Sequence, residues 1–424
     1  MPTHHPPSPD RRPWQTCLNS LLLMLLAGCS TNPGALHLAH HQFINGDNNA
    51  ALSTLANIDV VAPKDRLLFR MEKALFLHDA GDFEESTRQL LAASKYLEQN
   101  DYISLRDETS ELLTNEWAGR YQGEYSEQLW IHSYLMINFL SQGLYESAAV
   151  EARQALSRIE DQPEVLENDH FTRALIALSF EAAGQLNDAY IEYRKLVEEK
   201  STYGKSLNAI MLPQALRLGV TDNAHNLIQQ LQDTRPQLSV ADLSTQDYAV
   251  FFIASGLVPR KYSSSILIGS SSRLSFPQYD VSNAEPPKLH VTVNGELCDC
   301  HPIHTDLGLL VSDSLNKRGI KLATKSLIRA YTKDAVADAI GNKEKTTGEL
   351  VRLLFFALEE ADTRSWQSLP RHLTLLRIPL PKNDAEPVIE ISASASSGSI
   401  IKTLEPAANK RGLQFFPLRL ISRY

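Results

Sequence analysis

Cysteine is scarce in this chain: four in 424 residues, at positions 17, 29, 298 and 300. A disulfide-stapled scaffold is thereby excluded, since such folds depend on dense pairing. Positive charge is also short, with 41 Lys and Arg against 50 Asp and Glu and a net charge of −9. That balance argues against a nucleic-acid or anionic-membrane ligand, because both reward basic patches. The apolar segment Leu21 to Leu26 is far shorter than the ~20 residues of a bilayer span. Common catalytic signatures are missing too. There is no Gly-x-Ser-x-Gly elbow, no His-Glu-x-x-His helix and no phosphate-cradling glycine loop.

The N-terminus carries a strong signal. Arg11 and Arg12 precede the apolar segment, which ends in Leu26-Ala27-Gly28-Cys29. Basic, apolar and small residues in that order predict a secretory leader over residues 1–28, and a cysteine at the cleavage point predicts a lipoprotein. Cys29 is then the lipidation site, carrying palmitate-type acyl chains whose methylenes contribute ~0.8 kcal/mol each in a bilayer. Ser30 in place of an aspartate after that cysteine predicts the periplasmic face of the outer membrane, for a Gram-negative host. Ser30 to Gly34 reaches roughly 17 Å at most, so the body sits close to the lipid. Removing the leader leaves 396 residues, enough for two ordinary domains.

One pattern recurs between residues 35 and 235. An apolar helix ends at a glycine and a second helix follows within three residues. The glycines are Gly46, Gly81, Gly143, Gly184 and Gly219, spaced 35, 62, 41 and 35 residues apart. Two gaps lie on the tetratricopeptide period of about 34, and the gap of 62 leaves room for an extra helix pair. Glycine tolerates the left-handed backbone that closes a helix, and Ala148, Ala149, Ala152 and Ala155 let neighbouring helices approach. A lone hairpin cannot bury its apolar stripe, so stacking into a solenoid is expected over residues 29–235. Within it Trp117, Tyr121, Tyr125, Trp130 and Tyr134 crowd together. These aromatics are candidates for a partner-binding surface, with core packing as the alternative.

Composition shifts near Thr245. Asp247 to Ile253 reads as a strand, with Ser265 to Gly269 as its partner across a turn, followed by a Ser- and Pro-rich loop. Leu289 to Val293 alternates, Asn294-Gly295 is a hairpin turn, and Glu296 to His301 runs back. Helices are expected over roughly 306–361. Leu369 to Leu380, Pro387 to Ala395, Ile400 to Leu404 and Leu413 to Ile421 read as closing strands. The predicted class is α + β multidomain: an all-α tetratricopeptide-like solenoid, then an α+β domain over 245–424.

Several phrases together point to one group of sequences: Tyr134-Leu135-Met136-Ile137-Asn138-Phe139-Leu140, Glu151-Ala152-Arg153 and Gly256-Leu257-Val258-Pro259-Arg260-Lys261. Phe276-Pro277-Gln278-Tyr279 and Ala361-Asp362-Thr363-Arg364-Ser365-Trp366-Gln367-Ser368-Leu369-Pro370 extend the set. In these the chain resembles a family of bacterial tetratricopeptide-like outer-membrane lipoproteins, over most of its mature length. The resemblance implies architecture and address rather than chemistry, with a setting near cell-wall synthesis. Cys298 and Cys300 are not among the phrases that carry it.

Other clusters read modestly. Cys298-Asp299-Cys300-His301-Pro302-Ile303-His304 offers thiolate and imidazole, but its spacing does not match a zinc knuckle. A disulfide or inert thiols are the other readings. In the Arg-Ser-Trp-x-x-Leu-Pro phrase, Asp362 and Arg364 can pair, Trp366 can plug a core and Pro370 can stop a helix. Glu359, Glu360 and Asp362 suit a solvated face, and His37, His40 and His41 lie near the anchor. No catalytic residue, metal site or cofactor is predicted. The sequence points to a non-catalytic adaptor whose solenoid groove holds an envelope protein or peptide. An enzyme of unrecognised type, or a carrier of a small envelope-derived ligand held between the domains, are the alternatives.

Overall fold

In the computed structural model the described residues are 33–58, 61–101, 119–234, 240–268, 272–281, 286–317, 361–381, 387–395, 398–406 and 412–420. The leader, Cys29, Trp117 and most of the helical segment expected over 306–361 lie outside them, as do Glu359 and Glu360. So does most of the interval that could hold an extra helix pair.

Among the described residues ten helices form five hairpins. They are α1 (Pro33–Ile44) with α2 (Asn48–Ala56), α3 (Arg66–Asp79) with α4 (Phe83–Asp101), and α5 (Tyr125–Ser141) with α6 (Tyr145–Asp161). Then come α7 (His170–Ala182) with α8 (Leu186–Glu199), and α9 (Gly204–Arg217) with α10 (Thr221–Thr234). All five expected glycines stand at the bends, with φ between 70° and 84°. Their turns share one bonding scheme. In the third, the Gly143 N–H donates to the Leu140 carbonyl at 3.1 Å and the Leu144 N–H to the Phe139 carbonyl at 2.8 Å. That pair of bonds closes the last helical carbonyls. An added Cβ would meet nothing within 4 Å at any of the five, so backbone conformation rather than space demands glycine there.

A short helix α11 (Val240–Ser244) leads into the strands: β1 (Tyr248–Ser255), β2 (Lys261–Ile268), β3 (Ser272–Tyr279), β4 (Lys288–Val293) and β5 (Glu296–Leu297). These are followed by β6 (Ile303–Asp306), β7 (His372–Pro379), β8 (Ile389–Ala395), β9 (Gly398–Leu404) and β10 (Leu413–Leu420). One sheet has the order β10-β1-β7-β6, a second β5-β4-β8-β9, and β2-β3 form a separate ribbon. β1 runs parallel to β10 and antiparallel to β7. Asn294 and Gly295 take φ of 52° and 82°, the left-handed pair that a tight two-residue hairpin requires.

β1 explains how the layers assemble, because all eight of its residues are buried. Tyr248, Val250, Phe252 and Ala254 join the core of the helices, whereas Ala249, Phe251 and Ile253 join Ile389, Ile391 and Val291 of the second sheet. Strand side chains alternate faces, so the first sheet lies between the helices and the second sheet. The change of composition near Thr245 marks a change of secondary structure without a break in the core.

Two strand expectations are corrected. Residues 265–268 of the expected partner strand do not pair with β1, and Gly269 lies outside the described residues. β2 pairs with β3 over Lys261↔Tyr279 to Ile268↔Ser272, while β1 takes β7 and β10 from far along the chain. β3 itself falls where the Ser- and Pro-rich loop was expected. Its Phe276, Leu274 and Tyr279 supply the strand character that serines and Pro277 mask in the sequence.

Candidate functional site

The inner side of the solenoid is formed by the first helix of each hairpin, and much of it is covered by the chain's own sheet. Helix α3 and helix α5 meet β10, and α7 meets β6 and β7. Every residue from Leu129 to Leu140 in α5 is buried, as is every residue from His170 to Phe180 in α7. The inner surface of the solenoid is therefore occupied by the chain's own strands along α5 and over part of α7. A helix apolar on all sides needs cover on all sides, and the first sheet provides it.

The segment Ala361 to Pro370 fixes this seat. Trp366 is fully buried, with its ring 5.8 Å from that of Tyr134. The Trp366 N–H donates to Glu127 Oε1 at 2.8 Å, and the Gln367 N–H to Glu72 Oε1 at 2.8 Å. Arg364 pairs with Asp362 at 2.7 Å and with Asp65 at 2.8 Å, and its guanidinium also donates to the Lys64 and Gly119 carbonyls. Beside it Lys261 Nζ meets Glu124 Oε1 at 2.7 Å, with side chains 3% and 2% exposed. Glu127 accepts from Tyr121 Oη at 2.6 Å and from the Glu124 N–H. Burial holds the Glu127 carboxyl above its ordinary range, with Lys261 partly opposing that rise.

The candidate partner-binding aromatics take part in this packing. Tyr121, Trp130 and Tyr134 are buried in the core, Trp130 donating to Asp169 Oδ2 at 2.8 Å, and Tyr125 is half-buried against the same cluster. None of the three buried rings offers a face to a ligand. Their burial follows from their place on or just before the doubly covered α5.

The cover loosens from α7 to α9. Between α7 to α9 and the sheet lies a cleft with two cavities, of about 340 Å³ and about 350 Å³, which share Ile210, Leu243, Gln246, Tyr248 and Arg377 as walls. Each falls within the size range of small-ligand or side-chain pockets, about 300–1,000 Å³. Arg377, on β7, gives both terminal nitrogens to Glu181 at 2.7 and 2.9 Å, and its guanidinium lies 4.0 Å from the Tyr248 ring centre. Tyr193 Oη donates to the same carboxylate at 2.7 Å. Burial pushes the guanidinium's affinity for its proton down, but Glu181 outweighs that and holds Arg377 above its ordinary range. Burial and then Glu181 hold the Tyr193 phenol well above its own. The group is thus a fixed ion pair that keeps its protons at neutral pH, suited to orienting an occupant rather than to proton transfer.

The second wall of the first cavity carries Cys298, Asp299, Cys300 and His301. Cys298 and Cys300 are joined by a disulfide. They lie in the loop after β5 rather than on a returning strand as expected, since β5 stops at Leu297. Among the described residues no group of three or more His, Cys, Asp or Glu is placed to hold a metal ion. Of the N-terminal histidines, His37 and His41 are exposed. His40 is buried against Glu72 at 2.8 Å. Burial lowers its imidazole, but the Glu72 carboxylate more than offsets this and leaves it raised.

Lys261, Glu124, Glu127, Glu181 and Arg377 were not singled out in the sequence. A single charge inside an otherwise apolar strand, such as Arg377 within Leu373 to Ile378, is the signal that marks such residues.

No family profile matches the chain, and no curated protein matches it. Among solved structures it is similar to MamA from Desulfovibrio magneticus RS-1, at 14% identity and a TM-score of 0.33, over 50% of this chain and 100% of that one. A TPR-like repeat protein described as a kinesin light chain of Podosopora anserina matches at 16% identity and 0.32, over 49% and 97%. The Rap conjugation regulator of plasmid pLS20, solved with the Phr* peptide, matches at 13% and 0.28, over 48% and 53%. At these scores the likeness carries no argument, and the helical-repeat reading rests on the five hairpins themselves.

Proposed function

We propose that the protein is a non-catalytic interaction adaptor of the cell envelope, whose partner docks in the cleft between the last two hairpins and the first sheet. One observation carries this reading. In the cleft around Tyr248 and Arg377 the wall formed by α7 to α9 keeps two cavities, while α5 is buried along its length beneath the chain's own strands. The cleft's mixed apolar and polar walls and the fixed Arg377–Glu181 pair suit the side chains of a protein or peptide segment. Acylation at Cys29 holds the body on the periplasmic face of the outer membrane, and envelope or peptidoglycan assembly is the process served.

A photo-crosslinking residue at Ile210 tests the docking site in cells, with Val150 on the outer side as the control. Capture of a defined envelope protein from Ile210 and not from Val150 supports the proposal. Equal capture from both, or none from Ile210, overturns it. Labelling with an alkyne-tagged palmitate tests the anchor: the label is expected on the full chain and lost in Cys29→Ser.

The position of the cavities between helices and sheet favours a second reading, a carrier of a small envelope-derived ligand. Native mass spectrometry of protein purified from membranes separates the two, because a carrier retains a stoichiometric adduct that an Ile210→Trp variant loses.

A further inference from the structure

We propose that Cys298 and Cys300 are a redox-active pair that exchanges with a dithiol of a partner protein at the mouth of the first cavity. Three observations converge on this. First, the bridge does little for the fold. It joins residues two apart, with Cα atoms 5.2 Å from each other, and a loop that short restricts the unfolded chain very little. The loop is already pinned without it, by the Cys298 N–H to the Val291 carbonyl at 2.9 Å and by Ser206 Oγ to the His301 carbonyl at 2.8 Å.

Second, both cysteines are half-buried on the cavity wall, with Asp299 exposed between them. Leu178, Leu207, Ile210 and Ile303 line the same cavity. They form an apolar seat for residues flanking an incoming cysteine. Third, His301 follows directly, its side chain one-third exposed and its Nε2 3.5 Å from Asp299 Oδ1. Next in sequence to Cys300, its imidazole can donate a hydrogen bond as a thiolate departs.

Cys17 belongs to the expected leader and Cys29 to the expected anchor, so the electrons come from outside this chain, in this proposal from a partner dithiol. A thiolate of the partner attacks one sulfur of the pair, the S–S bond breaks, and the second sulfur leaves as a thiolate that takes up a proton. The partner's second thiol, deprotonated, then attacks the mixed bond and releases the first cysteine, which is protonated in turn. Two electrons and two protons thus pass from the partner dithiol, which becomes a disulfide, to the Cys298–Cys300 pair.

The test uses the full chain equilibrated in glutathione buffers running from oxidising to strongly reducing. Samples are quenched with acid, differentially alkylated and digested, and the tryptic peptide spanning residues 289–317 is weighed. The expected result is a half-reduced peptide within the series, with an unchanged circular dichroism spectrum. A peptide that stays oxidised until denaturant is added overturns the proposal, as does one with two free thiols at every ratio. In cells, Cys300→Ser leaves Cys298 to hold a partner, and a reductant-sensitive adduct is expected that the double serine variant lacks. Absence of that adduct counts against exchange with a protein. His301→Ala is expected to slow the reaction with glutathione several-fold at neutral pH while leaving the melting temperature unchanged. An unaltered rate removes the histidine from the proposal.

Discussion

Helices α5 and α6 are the two arms of one hairpin, each of 17 residues, yet they meet different surroundings. In α5 every position from Leu129 to Leu140 is buried, and its His132, Ser133 and Asn138 side chains each find a separate neighbour. His132 meets Glu151 of α6 at 2.7 Å, Ser133 meets Thr172 of α7 at 3.0 Å, and Asn138 donates to Ser86 of α4 at 2.9 Å. In α6 the buried positions Ala148, Ala149, Glu151, Ala152, Ala155 and Ile159 form one face, while Val150 is 51% exposed. One arm has neighbours on every side and the other has water along one side. The contrast shows that the inner wall of a repeat array can be spent within the chain.

The largest effect is expected where the cover is bolted down. Trp366→Ala empties a fully buried site against Tyr134 and is expected to cost about 3–5 kcal/mol, read as a lower denaturant midpoint. A loss below about 1 kcal/mol would mean that the sheet does not depend on this seat. Lys261→Met removes the charge that faces the buried Glu124 carboxylate, at roughly 3 kcal/mol or more. The double variant with Glu124→Leu should recover most of that loss, and failure to recover it would break the assignment of the pair.

Gly143→Ala keeps both arms of the hairpin and forces alanine into a left-handed backbone, at about 1–2 kcal/mol. Thermal melts of this variant and of Gly184→Ala should agree, because the two turns bond alike.

Acid provides a subtler probe of the cover. Asp306 ends β6 beside Arg371 at 2.7 Å and accepts from the Leu309 N–H at 3.1 Å. Burial alone would raise its carboxyl, but His372, with Nε2 3.6 Å away, and the hydrogen bonds and charge of Arg371 bring it down to about 2. Because an unfolded aspartate titrates near ~3.9, this stabilisation is present above about pH 4 and is lost as the pH falls through about 2. Asp306→Asn should flatten the acid limb of a stability-versus-pH series, and an unchanged limb would contradict the assignment. The smallest effect belongs to the solvent side of α6. There Val150→Ser should stay within about 0.5 kcal/mol of the parent chain.

The hairpin turns were legible in the sequence because the cause is local. Each glycine sits where the backbone must turn left-handed, and the bonds that close the turn reach no further than five residues. Asn294-Gly295 was legible for the same reason. That α5 would be covered on every side from Leu129 to Leu140, and by what, was not legible, because His132, Ser133 and Asn138 interrupt its apolar sequence. Nor could the sequence tell that β1 chooses β7 and β10 over its nearer neighbour β2. The 340 and 350 Å³ cavities beside Tyr248 depend on that choice.

Local chemistry, acting over a few residues, determined the helices, their bends and the alternating strands. The tertiary structure alone decided which strands pair, which wall they cover and where a cleft remains. Those outcomes depend on matching apolar faces that lie more than a hundred residues apart.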